Sequence, residues 1–314
     1  MNQGKNKKSS NNRIRLGLCC IFRQEPIRFR QVTAKTLQSL SRADQLARLS
    51  EICLHNVQSL HKSLQYVSDN SIGAFRILSP LLPRYTHPQV AYTLDDLPAG
   101  ELIQQEFYRI RKFRGQHDIR LSFHPDQFNV LSSPRPEVIS NTRRELEYQG
   151  MLADLVDAEI INLHAGGVYG NKEAALERLK INVAKLSESV RNRLTFENDD
   201  ISFTPADLLP VCEKLQLPMV YDVHHHRCNP DELSVEDATS YATGTWKAQG
   251  REPCFHISSP KNGWQDGSPK PHADYINRGD FPSCWKELRV TVDVEAKAKE
   301  LAVLKLMHDL DNNS

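Results

Sequence analysis

Residues 217–227 read LPMVYDVHHHR: an apolar run of Met219, Val220, Tyr221 and Val223 that ends among Asp222, His224, His225 and His226. Short runs of this kind form buried β-strands. Here cation ligands stand at the strand's end, with Asp222 and His225 three residues apart. Carboxylate is a hard donor and imidazole a borderline one, so the two suit a divalent metal. A solvated histidine tract has the same composition; recurrence argues against it. His124 stands in RLSFHP, His164 closes IINLH and Glu197 stands in LTFEN. His256 lies in the second half of PCFHISS, Glu295 near the end of VTVDVEA, and His272 opens the segment between those two runs. Imidazole or carboxylate at six successive strand ends is hard to obtain by chance. The set is nitrogen and oxygen, with too many members for one ion. Two or three divalent ions fit, manganese or zinc by ligand type, and Glu197, central in strand order, is the natural bridge. Paired metals ~3.5–4 Å apart make hydroxide from water and stabilise both oxygens of an in-line phosphoryl displacement.

For these ends to meet, the strands must be parallel and share one sheet. Strands are expected at residues 14–20, 74–79, 120–125, 160–164, 194–198, 217–223, 253–259 and 290–296. Helical spacing of apolar residues, or helix start signals, falls between them at 44–67, 97–113, 136–155, 172–190, 204–215 and 235–248. Thr204-Pro205 is a good N-cap and N1 pair. Residues 272–288 read as partly helical, broken near Gly279 and Pro282, and 297–310 as a closing helix. About eight strand-then-helix units predict an α/β fold, a (β/α)8 TIM barrel with its metal cluster at the C-terminal face of the strands. A doubly wound open sheet is the rival, but no glycine-rich dinucleotide turn follows any strand.

The loops at that face carry further candidates. Gly166, Gly167 and Gly170 precede Lys172, in a loop that either cradles a phosphate or simply turns the chain. Ser258-Ser259-Pro260-Lys261 offers hydroxyls and a cation, or a solvated loop. Gln127 and Phe128 place an amide beside an aromatic; an exposed ring there would stack on a base, and a buried one would be core.

A length of 314 residues, 39% hydrophobic and 25% charged, allows a sizeable core, read as a single barrel domain over 13–314 after a disordered basic tail at 1–12. That tail lacks the apolar middle of a signal peptide, and no run approaches the ~20 residues of a membrane span. The seven scattered cysteines, with no CxxC, suit reduced thiols in a cytoplasm. Net charge is +1, so a nucleic-acid face would need local basic patches; residues 23–30 and 109–114 are the candidates. A monomer with no protein partner and no membrane contact is expected.

At these residues the chain resembles the ultraviolet-damage endonuclease family. The matching pieces are RILSPLLPRYTHP, LSFHPDQF, INLHAGGVYGNKEAA, LTFENDD, YDVHHH, HISSPK, HADYI and EAKAKELAVLKL, in order from about Arg76 to Met307. The resemblance implies a manganese-dependent enzyme, with zinc or magnesium as alternatives, on the metal-cluster barrel of endonuclease IV. It implies double-stranded DNA as partner, nicked immediately 5′ to an ultraviolet photoproduct. By matched motif, His124, His164 and Glu197 would hold one metal, Glu197, Asp222, His256 and Glu295 a second, and His225 and His272 a third. Glu197, His124, His87 of the THP motif and Lys261 would be catalytic, and Gln127 and Phe128 would probe the damaged site. Two positions depart from the family pattern: Leu18 replaces an aromatic and Cys254 replaces a lysine. Both are expected near the active face. Cys254 should share the inner face with His256, as a small buried hydrophobe or as a soft donor favouring zinc. The alternative function is a metal-dependent sugar isomerase or epimerase, because such barrels also gather His, Glu and Asp at strand ends.

Overall fold

Strand alternation splits eight short runs into two faces of opposite chemistry. The computed structural model describes residues 14–312; the expected tail at 1–12 lies outside the described residues. The strands are β1 (Ile14–Cys19), β2 (Ala74–Ile77), β3 (Arg120–Phe123), β4 (Ile160–His164), β5 (Leu194–Glu197), β6 (Met219–Asp222), β7 (Cys254–Ile257) and β8 (Val290–Val294). All neighbours pair in parallel, and β1 pairs with both β2 and β8, closing a barrel in sequence order. This is the expected (β/α)8 barrel.

One face of each strand is oily. Leu18, Phe75, Leu121, Leu163, Phe196, Tyr221, Phe255 and Val292 join one continuous core beneath the helices. Full burial of such a side chain stabilises by about 1.5–3 kcal/mol. The other face is polar: Arg76, Arg120, Asn162, Glu197, Asp222, His256 and Asp293 are all buried. The apolar part of the interior is a small separate cluster of Ile160, Val220, Cys254 and Trp246. Leu18 therefore looks away from the active face. The inward positions of β1 are Arg15, Gly17, where a Cβ would meet the Asp293 carboxylate at 2.1 Å, and Cys19.

The helices are α1 (Ala34–Gln38), α2 (Arg42–Asp69), α3 (Gly100–Gln116), α4 (Pro136–Val156), α5 (Lys172–Val183), α6 (Glu188–Arg191), α7 (Pro205–Leu215), α8 (Val223–Cys228), α9 (Val235–Lys247) and α10 (Glu300–Asp311). Thr204 and Asp207 form a capping box at α7, each side chain accepting from the other's backbone N–H. Three expectations change. The single helix at 172–190 is two, because Ser187 starts a new one by accepting from Val190 N. Residues 272–288 hold only two 3-10 turns, Arg278–Asp280 and Ser283–Trp285, the second entered through Pro282. The tract after β6 is helical. The basic run at 109–114 also changes meaning. It ends α3, which returns against the strands, so it lies at their N-terminal end. There Arg109 pairs with Glu106, and Arg114 with Asp157 (2.6 Å) and Glu159 (2.8 Å). The basic loop at 23–30 is at the opposite end, where the Glu300 carboxylate accepts from the backbone N–H groups of Arg23 (2.7 Å) and Gln24 (2.6 Å). No helix among the described residues is long and apolar enough to cross a membrane.

Candidate metal centre

Sheet register sets the level of each ligand. His164 is paired with Glu197 across β4 and β5, Asp222 with His256 across β6 and β7, and His256 with Asp293 across β7 and β8. Glu197 is fully buried at the middle. Its Oε2 lies 3.1 Å from His124 Nε2 and 3.1 Å from His256 Nδ1, and its Oε1 lies 3.2 Å from His225 Nδ1. The three-residue spacing of Asp222 and His225 now has a cause. Asp222 ends β6 and is the N-cap of α8, accepting from His225 N at 2.7 Å. That cap turns the His225 ring inward, its Nδ1 3.7 Å from Asp222 Oδ2. The His164 ring lies between those of His124 (centroids 5.0 Å apart) and His225 (5.7 Å). Glu295 reaches His256 Nδ1 at 3.4 Å and His272 Nδ1 at 3.8 Å. The eight candidate ligands thus form one connected cluster.

The cluster is short of hydrogen bonds and rich in donors for a cation. His164 Nδ1, Glu197 Oε1, Asp222 Oδ2 and His256 Nδ1 are buried with no hydrogen-bond partner. Such atoms are costly unless something pairs with them. Two groups, His124–His164–Glu197 and Glu197–Asp222–His225, each bring their ligand atoms within 4.8 Å of one another and share Glu197. Oxygen and imidazole donors in that arrangement fit hard divalent ions. The electrostatics agree. Burial would push the Glu197 carboxyl up, but the surrounding histidine rings hold it well below the usual carboxylate range. Burial likewise opposes charge on His225, yet Asp222 and Glu197 raise its pKa well above the usual value. Burial depresses His164, leaving a neutral ring, the form that ligates metal.

Three side chains absent from the expected set, Asn162, Arg76 and Asp293, surround the ligands. Asn162 Nδ2 donates to Glu197 Oε2 and its Oδ1 accepts from Thr195 Oγ1 at 2.8 Å. Arg76 donates to Glu295 Oε1 (2.6 Å) and to Asp293 Oδ2 (3.1 and 3.2 Å), and its Nη2 lies 2.8 Å from His256 Nε2. A third donor group, Cys254–His256–Asp293, therefore already has a cation beside it. Burial pushes the Cys254 thiol well up, which keeps it protonated. Each of the three is a polar residue at an inward position of an apolar strand, a signal that parity alone could have found.

Gln127 and Phe128 are exposed, Phe128 by 77%. They line a cavity of about 640 Å³ with His164, His225, Tyr169 and Ile201. Asp199 fixes one wall of it, accepting from the backbone N–H groups of Ile201 (2.8 Å), Ser202 and Phe203 (3.1 Å). Lys261 is exposed on the loop that a bridge joins to His272. His87 lies outside this cavity, in a neighbouring one of about 600 Å³ with Asp126, Asn129 and Tyr148.

The family profile of UV-endonuclease UvdE matches residues 14–314. A UV DNA damage endonuclease of Bacillus cereus is 32% identical over 295 residues, covering 90% of this chain and 89% of the relative. The crystal structure of SacUVDE superimposes with a TM-score of 0.84 at 28% identity, covering 95% of this chain and 98% of that one. Endonuclease IV from Thermus thermophilus, at a TM-score of 0.60 and 14% identity over 95% of this chain and 98% of its own, shares the fold. So does D-psicose 3-epimerase from Clostridium cellulolyticum, at 0.53 and 12% over 95% and 92%.

Proposed function

This chain belongs to the UV-endonuclease family, the DNA repair endonucleases, and from that premise we propose how its site works and on what. The substrate is double-stranded DNA carrying an ultraviolet photoproduct, and the bond hydrolysed is the phosphodiester 5′ to the lesion. Two or three divalent ions, manganese first, serve the reaction. One observation carries the reading: two donor groups share the buried Glu197, leave ligand atoms unpaired, and open onto a cavity with an exposed aromatic at its rim.

His124, His164 and Glu197 would hold one ion, and Glu197 and Asp222, with His225 or with His256 and Glu295, a second. His272, beside Glu295, would complete a third with the remaining histidine. Bound there, divalent ions supply hydroxide at neutral pH and stabilise the oxygens of the displaced phosphate. The protein's own contribution is placement. Asn162 fixes one oxygen of Glu197, and the other faces His225 Nδ1 at 3.2 Å. Asp222 is held by its cap to α8 and so fixes His225 in turn. Arg76 pairs with both Asp293 and Glu295, which offsets part of the repulsion among these carboxylates and Glu197. Gln127 and Phe128 enter the gap left by an unstacked lesion. Photoproducts already weaken stacking, so opening them costs less than opening normal DNA. Lys261 fits a phosphate contact, and His87 a supporting position behind the probing loop.

The sugar isomerase reading rests on fold alone. Irradiated and untreated supercoiled plasmid, each with and without added manganese, test the proposal. Nicked circles are expected only from irradiated plasmid with metal; intact plasmid in all four reactions would overturn it.

A further inference from the structure

α4 separates two grooves. Arg135, Val138 and Asn141 face the cavity that holds His164 and Phe128. Helical periodicity turns Ile139 and Arg143 to the other side, into a surface groove of about 610 Å³ against α5. Its lining includes the half-buried Ile139, the exposed Ile181 and the cations Arg143, Arg144, Arg178 and Lys185. Among the described residues, none of these four cations has a carboxylate within 4.0 Å, whereas Arg15, Arg114, Arg120 and Arg193 at the other end of the barrel all do. The one acid lining the groove, Glu147, accepts from the backbone N–H of Ser187.

What holds the four cations is neutral. Arg143 donates to Lys185 O (3.0 Å), Arg144 to Thr86 O (3.4 Å), Arg178 to Ser132 O (2.7 Å), and Lys185 to Asn182 Oδ1 (3.3 Å). These bonds orient the side chains and leave charge and further donors facing outward. With a net charge of +1, the chain has little spare positive charge, and four unpaired cations on one groove concentrate it.

We propose that this groove binds the sugar–phosphate backbone of the undamaged duplex flanking the lesion. The inference rests on the endonuclease reading and extends it to a second contact surface. Continuity decides between DNA and an acidic protein segment. Ser133 and Pro134 line the groove at the end of the loop that carries Gln127 and Phe128, so a duplex engaged at Phe128 runs past Arg135 into it. Eight residues of helix from Arg135 to Arg143 span about 12 Å. That is roughly three to four base pairs of duplex at ~3.4 Å per step. The contact carries no sequence information, because phosphates carry none.

The test is the salt dependence of binding by the metal-loaded protein, using a short irradiated duplex and its undamaged counterpart. The double variant Arg143→Gln/Lys185→Gln changes one exposed position on α4 and one in the turn after α5, and spares Arg178, which anchors the loop at Ser132. Each lost phosphate contact removes about 0.9 from the slope of log Kobs against log[salt], so the slope should fall by about 1.8. Affinity for damaged and undamaged DNA should fall by the same factor, with metal content and circular dichroism unchanged. Wild type on a duplex trimmed to one base pair on the groove side should lose more slope than the variant does, because the phosphates facing all four cations are gone. An unchanged slope in the variant, while wild type still binds and nicks irradiated DNA, overturns the groove and leaves the enzyme reading intact. Failure of wild type to bind irradiated DNA overturns the enzyme reading itself.

Discussion

The two ends of the barrel interior are both polar and both buried, and they solve the cost of burial in opposite ways. At the N-terminal end Arg120 has found partners in every direction: Glu159 Oε2 (3.0 Å), Pro253 O (3.0 Å), Thr291 Oγ1 (3.1 Å) and Glu252 O (2.6 Å). Its guanidinium also lies over the Trp246 ring, 5.3 Å from the centroid. At the C-terminal end Glu197, Asp222, His164 and His256 each leave a polar atom without a partner. A buried network that is satisfied fixes structure. One left short of partners around convergent donors is set up for something that arrives later. The charge balance makes the same point, because the lower end holds its charge on Arg120, a fixed cation, while the upper end, beyond Arg76, relies on imidazoles that a metal would deprotonate.

The largest effect should come from the upper end. Glu197→Gln should reduce nicking to background and lower metal content, with circular dichroism unchanged, because the charge shared by two donor groups is gone. Unchanged metal content with full nicking would erase the contrast. Arg120→Met should act in the reverse way. It leaves the Pro253 and Glu252 carbonyls without their donor, while half-exposed Glu159 keeps Arg114, and should cost about 1–3 kcal/mol of unfolding free energy. Metal bound per folded molecule should not change, and denaturant titration beside metal analysis checks both. Next is the rim of the upper end. Changing Gln127 and Phe128 together to Ala should weaken binding of irradiated duplex by ~1–3 kcal/mol, the worth of base–aromatic stacking. Equal affinities would make the pair ordinary loop residues. A subtler effect is protonic. Since Asp222 and Glu197 raise His225 against its burial, the metal-free ring is charged at neutral pH, and manganese must displace that proton. The same sign means that the metal-free protein holds this stabilisation below pH ~6.5 and loses it as pH rises through the elevated value. Calorimetric titration at pH 7 in two buffers of different ionisation enthalpy should show net proton release; none would contradict it. The smallest effect belongs to Cys254→Ser. With a protonated thiol beside Arg76, it should leave the zinc-to-manganese ratio of protein grown in a mixed-metal medium unchanged. A shift toward manganese would restore the soft-donor reading.

Short apolar runs alternating with helical segments made the eight strands legible, and ligands at strand ends drew attention to the right end of the barrel. Parity was the weak link. Leu18 was expected near the active face, but one residue of offset puts it under the helices. Composition could not tell which end of a barrel a basic run occupies, so 109–114 read as a nucleic-acid face until its ion pairs with Glu106, Asp157 and Glu159 were seen. The six residues of α8 are too few to show a helical period, and three of them are histidine. Its existence follows from the Asp222 cap, which is a contact and not a pattern. Arg76 and Asn162 were passed over for the same reason: their meaning lies in partners 219 and 35 positions away in the chain.

β1 and β8 are neighbours in space, and more than 250 residues of chain separate them. A ribosome adding ~5–20 residues per second needs roughly a quarter of a minute to a minute to make that interval. Throughout it the growing sheet has two open edges, and Glu295 has not yet been made. The barrel therefore cannot close until its newest strand reaches its oldest. Its full ligand set exists only after translation of the domain is nearly done.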